Sequence, residues 1–298
     1  MDDTARAALL ALGEYERSHS PRSLALARRW LSFVEYMQYP DGSLANFIRS
    51  PAGVRNATGP TSVRGGYWWS ARAKWALARA YRLTRDRRYL ERYLACKLPP
   101  TVDGKINAVL ALAAMELHRG RRSAALRGTI QSHCATIMGR GDAPYFLDHP
   151  DSDVVHLWGY HQLHAMAAGA ALLERQDWLS ACRRTIKGLI EPDIRACFWY
   201  DYPARRKNGM TAYCVAPIVQ GLGAMYGATG ADRYRKLAVT ASNWFYGRND
   251  AHVQMYDPAT GMCRDGIQNG IASENYGAES AIEAGFSELR RRELLRAQ

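Results

Sequence analysis

Residues 67–97, YWWSARAKWALARAYRLTRDRRYLERYLACK, carry the pattern that decides the fold. Apolar and small residues recur at the helical period up to Thr84, TRD interrupts them, and the period resumes at Arg87. Helices at 67–84 and 87–97 are therefore joined by a link so short that they must fold back as an antiparallel hairpin.

The same period recurs on both sides of this hairpin. It predicts helices at 3–18, 22–38, 104–119, 122–139, 154–174, 176–190, 209–229, 232–247 and 274–293, about eleven in all. Short links (18–22, 84–87, 119–122, 174–176, 229–232) alternate with long ones (38–67, 139–154, 190–209, 247–274), and 97–104 is intermediate. Short links gather at one end of such an assembly and long loops at the other, where function is expected. Helices that start at the long-loop end are rich in small residues (NAVLALAA, AMAAGAALL, VQGLGAMYGA), which suits a crowded inner ring. Their partners at 22–38, 87–97, 122–139 and 232–247 carry more arginine, as an outer ring would. The expected fold is all-α, an (α/α)6 toroid formed by residues 1–298 as a single domain. A superhelix of helix pairs is the rival, but no 34-residue self-similarity supports it.

Composition narrows the function classes. The chain has 298 residues, 47% hydrophobic and 23% charged, with a mean hydropathy of −0.35. No apolar run approaches the roughly 20 residues of a membrane span. The start, MDDTARAALLALGEYERSHS, lacks the basic and apolar regions of a secretory signal, so a cytoplasmic location is expected. Six scattered cysteines without a CxxC pair read as buried free thiols, with neither a disulfide framework nor a zinc site. The net charge of +12 comes mainly from arginines dispersed over helices, as in RLTRDRRY and ELRRREL. Without a groove-reading motif, nucleic acid is not an expected partner, whereas an acidic or phosphorylated substrate is compatible with the charge. No cofactor and no metal are expected.

First turns of the inner helices place Trp68, Trp69, Arg72, Trp158, Tyr160, His161, Tyr213, Asn275 and Glu279 at the long-loop end. The loops add Asp41, Asp148, Tyr200, Asp201, Asp257 and Asp265. Aromatic faces that stack on sugar rings, with carboxylates and amides for hydroxyls, are what a saccharide cleft requires. Glycosidic-bond cleavage needs two carboxyl groups, and Asp41 and Asp265 are the first candidates, with Glu279 third. Asp153 and Glu279 also read as residues that cap a helix or answer its dipole. In DVVHLWGYHQLHA a continuous helix would align His156, Tyr160 and His164 on one face. A Tyr160/His161 pair could then take a proton from an acidic sugar, as a lyase or isomerase does.

Residues 244–280, WFYGRNDAHVQMYDPATGMCRDGIQNGIASENYGAES, resemble the end of helical (α/α)6 domains, glycoside-hydrolase-like, that occur beside or fused to bacterial glycosyltransferases. Tyr256, Asp257, Pro258, Thr260, Gly261, Asp265 and Gly266 match the YDPxTGxxxDG loop of those domains. Asn275, Gly277, Ala278, Glu279 and Ser280 match most of their NxNxGAES helix start. PDGSLANF (40–47) resembles their DGxFxNF loop, and Ser70 to Tyr89 resembles their ARAxWAL…YRLTGDxRY hairpin. The resemblance implies a carbohydrate-active toroid and a glycosyltransferase partner. One departure is plain: between Asn46 and Trp68, where those domains carry acids, this chain has none.

The leading expectation is an enzyme acting on a glycosidic bond of an oligosaccharide or glycoconjugate, with Asp41, Asp265 and Glu279 as acid, base or nucleophile. Trp68, Trp69, Trp158 and Tyr160 would stack on the sugar, while Arg72, His161, Asp201, Tyr213, Asp257 and Asn275 would contact its polar groups. The alternatives are a lyase or isomerase using Tyr160 and His161, a non-catalytic glycan-binding partner of a glycosyltransferase, and an enzyme that tailors a glycosylated small molecule.

Overall fold

A computed structural model describes residues 1–141, 143–207 and 209–297. The chain is all-α with small two- and three-stranded ribbons in its loops. Its contacts group the residues into two compact units, 1–101 with 109–131, and 102–108 with 132–298.

In the first unit, α1 (Asp2–Ser18) packs on α2 (Pro21–Tyr36) and on α3 (Tyr67–Thr84), which pairs with α4 (Arg87–Ala95). Local chemistry fixes these ends. Ser20 caps α2 by accepting the Ser23 amide at 3.4 Å, with Pro21 preset in the first turn. Asp86 caps α4 by accepting the Arg88 amide at 3.0 Å. Arg85 closes α3 in the left-handed conformation (φ 61°), so the expected TRD break is a real turn. Leu9 and Leu12 of α1 are fully buried, each contributing about 1.5–3 kcal/mol, beside the alanine-rich face of α3. Between α2 and α3, β1 (Phe47–Ile48) and β2 (Arg55–Asn56) form an antiparallel hairpin.

Two helices contribute to both units: α5 (Gly104–Gly120) and α6 (Ala124–Met138). In the second unit, α7 (Gln162–Leu173) is followed by one continuous helical run. It comprises α8 (Gln176–Thr185), a π turn at Ile186–Ile190 and α9 (Glu191–Arg195). Next come α10 (Ala212–Thr229), α11 (Asp232–Ser242) and α12 (Ala278–Arg296). Helix α10 packs against α7, α11 and α12 and is buried almost all round. Its glycines make this possible: a β carbon on Gly221 would lie 2.9 Å from Leu163 Cγ. With α8 through α9 taken as one run, the described residues hold the eleven helical runs that the sequence predicts.

The structure corrects one expected helix in a way that matters for the site. Residues 154–161 are not helical. Val155–His156 form β3, paired with β4 (Asp201–Tyr202), and α7 starts only at Gln162. Gly159 breaks the period by adopting φ 70° and donating its amide to the Tyr213 carbonyl at 3.1 Å. His156, Tyr160 and His164 therefore do not share a helix face. Similarly, β5 (Met210–Thr211) precedes α10, and pairs with β6 (Gly266–Gln268), itself paired with β7 (Ile271–Ala272). Residues 274–277 are loop before α12.

Candidate functional site

The second unit brings together histidine and aromatic side chains from two helix starts. His161 is the N-cap of α7 and His164 lies in its first turn. Tyr213 stands in the first turn of α10. The two imidazoles have centroids 6.2 Å apart, and His161 is 5.8 Å from the Tyr213 ring. Trp158 stands edge-on to Tyr213 at 4.7 Å. The tight turn at Gly159 enforces this arrangement, because a β carbon there would lie 2.8 Å from the Tyr213 ring. Such a group combines an aromatic face with two imidazoles, side chains that can both take and give a proton.

The same unit holds several buried polar side chains. Asp148 is 8% exposed and accepts the His156 amide at 2.8 Å and Gln162 Nε2 at 2.9 Å, while Lys105 Nζ lies 3.1 Å away. Burial pushes the Asp148 carboxyl up, and Lys105 opposes that shift. Asn107 Oδ1 meets His133 Nδ1 at 2.8 Å. The His156 ring lies 5.9 Å from that of Tyr200, tilted by 55°. Asp201, 1% exposed, accepts Arg206 Nε at 2.6 Å and is also paired with its Nη2. Burial alone would raise the Asp201 carboxyl, but these Arg206 bonds outweigh it and hold the group below its ordinary value. Asp201 thus anchors a loop.

The N-terminus of α12 assembles a second group. Asp265 lies directly over Gly277, the N-cap, where any β carbon would collide with its carboxylate. Its amide donates to the Asn275 carbonyl at 3.0 Å, and Ser280 Oγ donates to its carbonyl at 3.2 Å. Glu279 occupies the first turn of the same helix. Both carboxylates therefore answer the positive end of one helix. Asn275 donates its amide to Ser273 Oγ at 3.1 Å.

Other expected site residues are occupied by the fold. Tyr160 is fully buried and its hydroxyl donates to the Phe146 carbonyl at 2.8 Å, so it offers neither a stacking face nor a base. Asp257 accepts the Ala259 amide at 2.9 Å and Thr260 Oγ1 at 2.8 Å, and these bonds hold its carboxyl low within a tight turn.

In the first unit, Asp41 Oδ1 accepts the amide and hydroxyl of Ser43, at 3.1 and 2.7 Å, and Oδ2 pairs with Arg64 at 2.8 Å. The Ser43 bonds, with Arg64 beside them, hold its carboxyl at about 2, which removes it as a proton donor near neutral pH. Trp69 donates Nε1 to the Leu44 carbonyl at 3.0 Å and packs over Gly66, as a core residue. Arg72 is 1% exposed, paired with Asp2 and stacked 4.8 Å from the Trp68 ring.

Sequence reasoning named His164 only within a helix face that does not exist, and it missed Lys105 and Asp193. Asp193 is fully buried, with Oδ1 accepting the Trp199 amide at 2.7 Å. Nothing in EPDIRAC distinguishes it from a surface acid. Among the described residues no group of three His, Cys, Asp or Glu side chains is placed to hold a metal ion. No helix among the described residues is long and apolar enough to cross a membrane.

No protein-family model matches the chain, and no curated protein sequence does. Solved structures do match. A sugar epimerase from a ruminal bacterium superposes with a TM-score of 0.74 at 11% identity, covering 100% of this chain and 87% of that one. A D-mannose isomerase gives 0.71 at 12%, covering 100% and 87%. A family 88 glycosyl hydrolase from Bacteroides vulgatus gives 0.65 at 13%, covering 97% and 90%. At this identity the likeness defines the fold, which is the (α/α)6 toroid of antiparallel helix pairs.

Proposed function

We propose that residues 1–298 form one carbohydrate-active enzyme domain that moves a proton on a sugar substrate, as an epimerase, isomerase or lyase does. The observation that carries this reading is the His161–His164 pair, 6.2 Å apart beside Tyr213 and Trp158. In an epimerase or isomerase, one imidazole would remove the proton next to the carbonyl of the open-chain sugar. The electron pair then moves onto the carbonyl oxygen as an enediolate, and the second imidazole returns a proton to carbon. Return to the same carbon on its opposite face is epimerisation; return to the neighbouring carbon, with the hydroxyl proton of the first carbon passing to the former carbonyl oxygen, is isomerisation. Neither needs an oxidant. In a lyase the same abstraction, next to a uronate carboxyl, expels the glycosidic oxygen.

His164 takes the role that the sequence offered to Tyr160, whose hydroxyl is bound to Phe146. Trp158 is the proposed stacking face, and Tyr213, Asn275 and Glu279 are the proposed hydroxyl contacts. The names of the epimerase and isomerase that share the fold support the reading. A glycosyltransferase partner belongs to it through the 244–280 motif alone.

Cleavage of a glycosidic bond is the second reading, favoured by the meeting of Asp265 and Glu279 at one helix terminus and by the family 88 hydrolase. Its weakness is that both acids approach from the same helix end, whereas the chemistry needs carboxyls on either side of the bond. Screening aldoses, reducing disaccharides and uronate oligosaccharides with wild type, His161→Asn and Glu279→Gln separates the two. Proton transfer predicts that His161→Asn abolishes turnover of the active substrate. Full hydrolytic turnover in His161→Asn, with loss in Glu279→Gln, would select the second reading instead.

A further inference from the structure

The loop between α2 and α3 holds an arginine that makes no ion pair among the described residues. Arg55, on β2, places its guanidinium carbon 4.6 Å from the Tyr36 ring centroid and 4.8 Å from that of Tyr39. The side chain is half-buried, and its buried Nε has no hydrogen-bond partner among the described residues. Its two neighbours are already committed. Arg64, 3.9 Å from the same Tyr39 ring, is paired with Asp41, and Arg49 donates Nε to Asn56 Oδ1 at 3.1 Å. Residues 42–85 contain no aspartate or glutamate, so the segment cannot supply the missing charge itself.

A half-buried cation with an unsatisfied N–H costs free energy that folding alone has no reason to spend. Two tyrosine rings also remove the rotational freedom of the guanidinium, fixing its planar fork in advance. Such a fork matches the paired oxygens of a carboxylate or a phosphate, and a neutral hydroxyl group uses it poorly. We propose that Arg55, clamped between Tyr36 and Tyr39, is the anchor of an anion-binding site in the first unit, taking the carboxylate or phosphate monoester of a small sugar-like ligand. This site stands apart from the proton-transfer reading, since no part of it belongs to the histidine group.

The probes are D-glucuronate, glucose 6-phosphate and neutral D-glucose, titrated calorimetrically into wild type and Arg55→Gln. The expected result is that one anion binds about tenfold or more tightly than glucose and loses that advantage in Arg55→Gln. Whichever acid binds identifies carboxylate or phosphate as the group recognised. A second readout uses the wild type alone and so survives a variant that folds poorly. Phenylglyoxal modification of Arg55, followed by peptide mass spectrometry, should be suppressed by the bound anion and left unchanged by glucose. Equal binding of anion and glucose, or Arg55 reactivity indifferent to both acids, would overturn the proposal.

Discussion

The amide of Gly159 donates to the carbonyl of Tyr213 at 3.1 Å, and the Tyr213 ring fills the space that a side chain at 159 would need. One contact thus ends β3, delays the start of α7 and places Trp158 edge-on to the ring it borders. Gly159→Ala would impose both a left-handed alanine (φ 70°) and a β carbon 2.8 Å from the ring. The expected cost is about 1–3 kcal/mol, read as a fall in Tm, with a matching loss of turnover as Trp158 and Tyr213 separate.

Tyr160 provides the complementary case. Its phenol is fully buried and bonded to the Phe146 carbonyl. Tyr160→Phe should destabilise by about 1–3 kcal/mol, because an acceptor is left unpaired, while kcat on the active substrate stays near wild type. Stability and turnover measured on the same preparation check this, and a large kcat loss at intact stability would return Tyr160 to the chemistry.

Asp193 should make stability fall as pH rises. Complete burial pushes its carboxyl well above the ordinary value, and neither its bond from the Trp199 amide nor the more distant Lys207 offsets that. Above about pH 4 the unfolded chain ionises this group while the folded one keeps its proton, so the folded state binds more protons and loses stability with rising pH. Asp193→Asn keeps an acceptor for Trp199 and removes the ionisation. It should be more stable than wild type at pH 8, with the gap closing towards pH 3, as denaturant melts at both pH values would show.

Glu16 has the opposite sign. Burial alone would raise its carboxyl, but hydrogen bonds and charge from Arg82 and Arg79 hold it at about 2. Its contribution is present above the unfolded value near 4.5 and is lost as pH falls from there towards 2. Glu16→Gln should flatten the acid limb of the stability profile in that window. The change is small, because the side chain is 39% exposed and solvent screens the pair.

The helices were legible because amphipathic period and short turns are local properties, and the hairpin at Thr84–Arg87 forms as the sequence TRD predicts. Small residues in VQGLGAMYGA likewise announced a crowded helix, and Gly221 against Leu163 is the reason. The site was less legible. The apolar run through VVHLWGYHQLHA reads as helix throughout, and only the distant Tyr213 shows why it stops at Gly159. Carboxylates such as Asp41 and Asp257 look like site residues in sequence, one catalytic and one sugar-binding, because Asx turns use the same residue type in the same loops. Arg55 could have been noticed from the acid-free stretch around it, but its clamp by Tyr36 and Tyr39 depends on how the loop folds back.

Proton transfer at the histidine pair is read out by hydrogen exchange in heavy water. Wild type is incubated with the substrate found by screening, and carbon-bound hydrogen next to the carbonyl or uronate carboxyl is followed by NMR. Removal of that proton through His161 and His164 predicts loss of the original hydrogen from that carbon in wild type, and no such loss in His161→Asn. In wild type, deuterium appears at the same carbon for an epimerase, at the neighbouring carbon for an isomerase and at neither for a lyase. Turnover to product that retains the original hydrogen at that position would contradict the account.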